Sequence, residues 1–182
     1  MFFALRFKAQ PLSNSSTPPP IPIAQAAQPT VAISPDGKMT LTTMRFAGGK
    51  EGTVYTFLVT DESSGIQRKI FTKTEVMGTI LSIPDNTFSS DNKYVFLKEA
   101  DGVRASYLIL STNVSPDFLN TPINVSSLFA AKYQNYIITD VTGWGGPTLL
   151  IINTDKTSGG IGPTFWFDVA SSSFIQLSTR FN

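Results

Sequence analysis

The side chains that carry most enzymatic chemistry are missing from this chain of 182 residues, which has no histidine and no cysteine. Their absence removes the Ser-His-Asp triad, the Cys-His dyad, imidazole acid–base work, thiol redox chemistry, disulfides and nearly every zinc arrangement. Ser-Lys catalysis would need S-x-x-K where a strand enters a helix, and the serines cluster instead in turn contexts. Carboxylates remain. A glycosidase needs two of them across a cleft. Asp36, Asp91, Asp61 and Asp168 hold turn positions that recur along the chain, whereas Asp140 and Asp155 flank a strand near the C-terminus and are not explained by recurrence. The D-x-[DN]-x-[DN]-G order of a calcium loop is absent. No catalytic residue, cofactor site or metal site is therefore expected.

The glycine-rich stretches fare no better as phosphate cradles. Gly48-Gly49-Lys50-Glu51-Gly52-Thr53 lacks the G-x-x-x-x-G-K-[ST] order and reads as a hairpin loop; Ser158-Gly159-Gly160-Ile161-Gly162-Pro163 fails the dinucleotide pattern and joins two strands. Lys plus Arg number 14 against 13 Asp plus Glu, a net charge of +1 with no dense basic run, so no nucleic-acid footprint is expected. Two tryptophans stand out. Trp144 lies in Gly143-Trp144-Gly145-Gly146-Pro147, read as a turn between strands, where a ring can anchor a partner or fold back to cap the core. It is the one candidate binding residue. Trp166, between Phe165 and Phe167, reads as core or blade-to-blade packing.

The elements that must position these residues are strands. Ile33-Ser34-Pro35-Asp36-Gly37-Lys38 returns as Phe88-Ser89-Ser90-Asp91-Asn92-Lys93, each copy between two apolar runs. Pro35 has its φ set for the first corner of a type I turn, Asp36 suits the second, and Gly37 falls where a left-handed residue is needed. Asn92 stands there in the second copy, the best non-glycine substitute for φ > 0. Downstream, residues 54–61 end on Asp61 before Glu62-Ser63-Ser64-Gly65, and residues 164–168 end on Asp168 before Val169-Ala170-Ser171-Ser172. Residues 105–111 (ASYLILS) stand at the same place in a middle unit, with a longer insertion over 112–127. Val, Ile, Thr and aromatic residues fill these runs. Tyr107-Leu108-Ile109-Leu110 and Leu149-Leu150-Ile151-Ile152 are apolar on both faces, as suits a sheet packed between two neighbours. The only expected helical turn is Val125 to Lys132.

These units of about 50 residues predict an all-β fold: a partial or open β-propeller of about three four-stranded antiparallel blades, with units near 31–80, 81–130 and 131–182. The SPDGK turn followed by an apolar strand ending in aspartate resembles the WD-repeat-like propeller repeats of the TolB type. The resemblance covers about residues 31 to 182. It is specific in the first unit, partial in the second and faint in the third, where 136–141, the Gly143–Pro147 stretch and 148–153 would supply two strands without the motif. It implies a non-catalytic binding or scaffolding module with protein partners at the bacterial cell envelope, periplasmic or otherwise extracytoplasmic. The lack of cysteine suits that setting and cytoplasm equally. Similar repeats form the gating domain of prolyl-oligopeptidase-like serine hydrolases, so the alternative is the propeller portion of such an enzyme without its catalytic domain.

Residues 9–30 hold half of the 12 prolines and no charge, which predicts that residues 1–30 form a disordered Pro-rich linker or tether. The opening Met1-Phe2-Phe3-Ala4-Leu5 is too short for a signal-peptide core. No run of the given chain approaches the roughly 20 apolar residues that span a bilayer. Closed propellers have about four to eight blades, so three blades predict a fragment of a longer propeller or an arc whose open flanks self-associate.

Overall fold

The computed structural model describes residues 30–48, 52–113 and 120–177. The 1–30 linker, apart from Thr30, lies outside them, as do residues 49–51 of the first glycine-rich loop, 114–119 of the insertion and 178–182. Among the described residues twelve strands and one helix follow in chain order. β1 (Thr30–Ile33), β2 (Met39–Ala47), β3 (Thr53–Asp61) and β4 (Gln67–Glu75) form the first sheet; β5 (Ile80–Ser82), β6 (Tyr94–Ala100), β7 (Ala105–Ser111) and β8 (Ile123–Asn124) form the second. Helix α1 (Val125–Lys132) leads to the third, built from β9 (Tyr136–Trp144), β10 (Leu149–Lys156), β11 (Ile161–Asp168) and β12 (Ser173–Gln176). Each is a four-stranded antiparallel meander in sequence order. The expected all-β class, three four-stranded antiparallel sheets and the helical turn at Val125–Lys132 are present among the described residues.

The recurring turns are equivalent bond for bond. In the first sheet the Ser34 hydroxyl donates to Asp36 at 2.8 Å and accepts from the Met39 N–H at 2.9 Å, and the Gly37 N–H donates to the Ser34 carbonyl at 2.9 Å. In the second, Ser89 donates to Asp91 at 2.9 Å and accepts from the Tyr94 N–H at 3.0 Å, and the Asn92 N–H donates to the Ser89 carbonyl at 2.9 Å. Gly37 and Asn92 have φ of 70° and 59°, the left-handed residue each turn requires. The third sheet closes the same hairpin with a shorter loop, the Gly145 N–H donating to the Leu149 carbonyl at 2.8 Å. Lys38, Lys93 and Thr148 are equivalent, because their carbonyls accept from the N–H groups of Glu62, Thr112 and Val169 at 2.8, 2.9 and 2.9 Å. Asp61, Ser111 and Asp168, one residue before those donors, are therefore equivalent too. Gly65 and Ser172 both take φ > 0 at the matching turn position.

Counting from these anchors shows how the sheets stack. Val95 and Leu97 of β6, with Leu108 and Leu110 of β7, pack into a cluster with Leu41, Tyr55, Phe57 and Val59 of the first sheet. Phe96, Tyr107 and Ile109 point the other way, into a second cluster with Leu150, Ile152, Phe165 and Phe167 of the third sheet and Phe129 of α1. Period-two alternation thus sends successive side chains of the middle sheet into two different cores, which is why its central strands are apolar throughout. Lys73 of β4 adds a polar tie, pairing with both Glu75 and Glu99, the latter on β6.

Candidate functional site

The carboxylates do not converge. Asp36 and Asp91 are held within their own turns and by Lys38 and Lys93 at 3.4 and 3.0 Å. The two turns also touch: the Asn92 side-chain amide donates to Asp36 at 2.8 Å, so the left-handed residue of the second turn also clamps the first. That bond, with those from the Lys38 N–H and the Ser34 hydroxyl, holds the Asp36 carboxyl far below the ordinary carboxylate range. Asp61 accepts from Ser63 and Ser64, and Asp168 from Ser171 and Ala170; both carboxyls are lowered, by Ser63 and Ser171 first. Asp140 and Asp155 lie on neighbouring strands, opposite Asn153 and Ile137 respectively. No cluster of three or more potential metal-binding acidic residues occurs among the described residues.

A depressed carboxylate pKa adds stability above the unfolded value, about 4 for aspartate, and that contribution is lost as pH falls through the folded value. The domain is therefore expected to lose stability progressively below about pH 4. Asp36→Asn should lower stability at neutral pH and flatten that acid limb in thermal melts; an acid limb identical to wild type would exclude the turn carboxylates as its source.

The structure places Trp144 as the last residue of β9, half-buried rather than free in a turn. Its Nε1–H donates to the Thr87 carbonyl at 2.9 Å, and its ring stacks on Tyr94 at 6.2 Å and meets Phe96 edge-on at 6.3 Å. Thr87, Tyr94 and Phe96 all belong to the second unit, so the ring fastens the third sheet to the second. Gly143 makes the approach possible: with φ of 136°, its position leaves no room for a Cβ, which would lie 2.9 Å from that of Asn86.

Of the two alternatives for Trp166, core or blade-to-blade packing, the structure keeps it out of the core shared by the second and third sheets. Phe165 and Phe167 point inward, so strand alternation turns Trp166 to the outer face of the third sheet. There it forms a row with Ile151 and Ile175, its partners on β10 and β12. Trp166 is partly exposed and Ile175 is 46% exposed. The indole lies against Gly145, whose added Cβ would sit 3.3 Å from Nε1, and that nitrogen finds no acceptor among the described residues. By the turn-anchored count, Ile151 and Trp166 match Leu41 and Val59 of the first sheet and Phe96 and Ile109 of the second, each of which is covered by the following sheet. The opposite flank has another character. Where the second sheet has Val95, Leu97, Leu108 and Leu110 and the third has Leu150, Ile152, Phe165 and Phe167, the first has Thr40, Thr42, Leu58 and Thr60. Threonine tolerates water at that face.

No protein-family model matches the chain, and no curated protein matches it. Among the described residues no helix is long and apolar enough to cross a membrane.

Proposed function

We propose that this chain is a non-catalytic binding or scaffolding module, built as a partial β-propeller of the TolB-like, WD-repeat-like kind and acting through protein partners at the bacterial cell envelope. The observation that carries the reading is the outer face of the third sheet. Ile151 and Trp166 occupy positions that the two preceding sheets use to receive a neighbouring sheet, and the partly exposed Ile175 extends the apolar row beside them. An exposed apolar row at such positions is suited to a partner that excludes water from it. The threonine-faced first sheet makes the stack directional, with one solvated flank and one receiving flank.

The purified chain is expected to self-associate through the receiving flank. Sedimentation velocity across a concentration series should show oligomers for wild type and a monomer for Trp166→Asp, with both proteins equally folded by circular dichroism. A wild-type monomer at all concentrations, or association unchanged by the substitution, would contradict the reading.

A further inference from the structure

A second surface lies between the second and third sheets, at the end of the stack remote from the recurring turns. A cleft of about 780 Å³ opens there, bordered by the ends of β6 and β7, the first turns of α1 and the start of β9. Its apolar lining includes Ala105, Phe129, Tyr136 and Ile138. Two cations, Lys98 and Arg104, line it from the second sheet, and neither takes part in an ion pair among the described residues. Of the nearby acids, Asp101 accepts the N–H groups of Val103 and Arg104 at 2.9 and 2.8 Å and lies close enough to feel the Arg104 charge, and Glu99 pairs with Lys73. Hydroxyls of Ser106, Ser126 and Ser127 complete the lining.

β9 is the edge of the third sheet, paired only with β10, and Ile137, Ile138 and Thr139 of this edge border the cleft. An edge strand offers backbone donors and acceptors to an added strand. The juxtaposition of that edge, an apolar floor and two cations that make no close ion pair among the described residues points to one ligand chemistry. We infer that the cleft binds an extended peptide segment in which carboxylate side chains alternate with aliphatic ones. The aliphatic side chains would enter toward Phe129 and Ile138, the carboxylates would reach Lys98 and Arg104, and the peptide backbone would pair along β9. The inference rests on the reading of the chain as a protein-binding module, but not on the third-sheet face.

Fluorescence anisotropy with a labelled short peptide alternating glutamate and valine tests it, with a lysine–valine peptide as comparison. The acidic peptide should bind saturably and more weakly as salt rises, and the basic one should not bind. Lys98→Glu combined with Arg104→Glu should weaken the acidic peptide about tenfold or more. Trp166→Asp should leave peptide affinity unchanged, so loss of self-association and loss of peptide binding are separable outcomes. No binding of the acidic peptide, equal binding of both peptides, or indifference to the charge reversal would each overturn the inference.

Discussion

Phe165→Ala is expected to remove about 4 kcal/mol of folding stability, the range measured when large aromatic side chains are deleted from closed cores. Phe165 is fully buried on β11. Its ring meets Phe129 edge-on at 5.0 Å, lies 4.7 Å from Tyr133 and 5.9 Å from Tyr136, and so joins α1, the start of β9 and the third sheet at one point. Deleting it leaves a cavity walled by aromatic rings that cannot collapse without moving the helix, and forfeits the edge-to-face contacts as well. Domains of this size hold only about 5–15 kcal/mol in all, so chemical denaturation should show the midpoint shifting far down. Phe165→Leu, which refills most of the volume, should cost less than about 1.5 kcal/mol. Equal losses for the two variants would mean that the aromatic cluster is not a packed core.

Trp144→Ala should cost about 3 kcal/mol, because the ring is a fastener between the third and second units. Trp144→Phe separates the two components. It keeps a ring beside Tyr94 and Phe96 but leaves the Thr87 carbonyl without its indole donor, a loss of about 1 kcal/mol. The same variants report on binding: a Trp144→Ala protein with unchanged stability but weakened partner capture would place the ring in the partner's site instead.

The turns were the legible part of this fold. Ser34, Asp36 and Gly37, and again Ser89, Asp91 and Asn92, have side chains whose local hydrogen bonds determine the loop without tertiary help, so spacing alone located two hairpins. The third sheet was faint because its loop at Gly145–Thr148 is shorter and closes through backbone bonds, which any sequence can make. Trp166 stayed open between core and blade-to-blade packing for a related reason. In a stacked sheet both faces are apolar, so hydrophobicity no longer distinguishes inside from outside; alternation against Phe165 and Phe167 was the available signal. The Asn92–Asp36 clamp and the cleft beside β9 join residues from separate sheets and depend on how the sheets stack, which no local pattern encodes. The threonines at 40, 42 and 60 gain their meaning only once equivalent positions in all three sheets are aligned.

Three equivalent sheets pack in series, the second covered on both faces. Amide hydrogen exchange resolved by strand tests this stacking. β6 and β7 should hold the slowest-exchanging amides of the protein, opening only with global unfolding, whereas β1, β4 and β12 at the sheet edges should exchange through smaller openings. Amides of β3 or β11 that outlast those of β6 and β7, or a first sheet that unfolds in a separate transition, would contradict the serial stack.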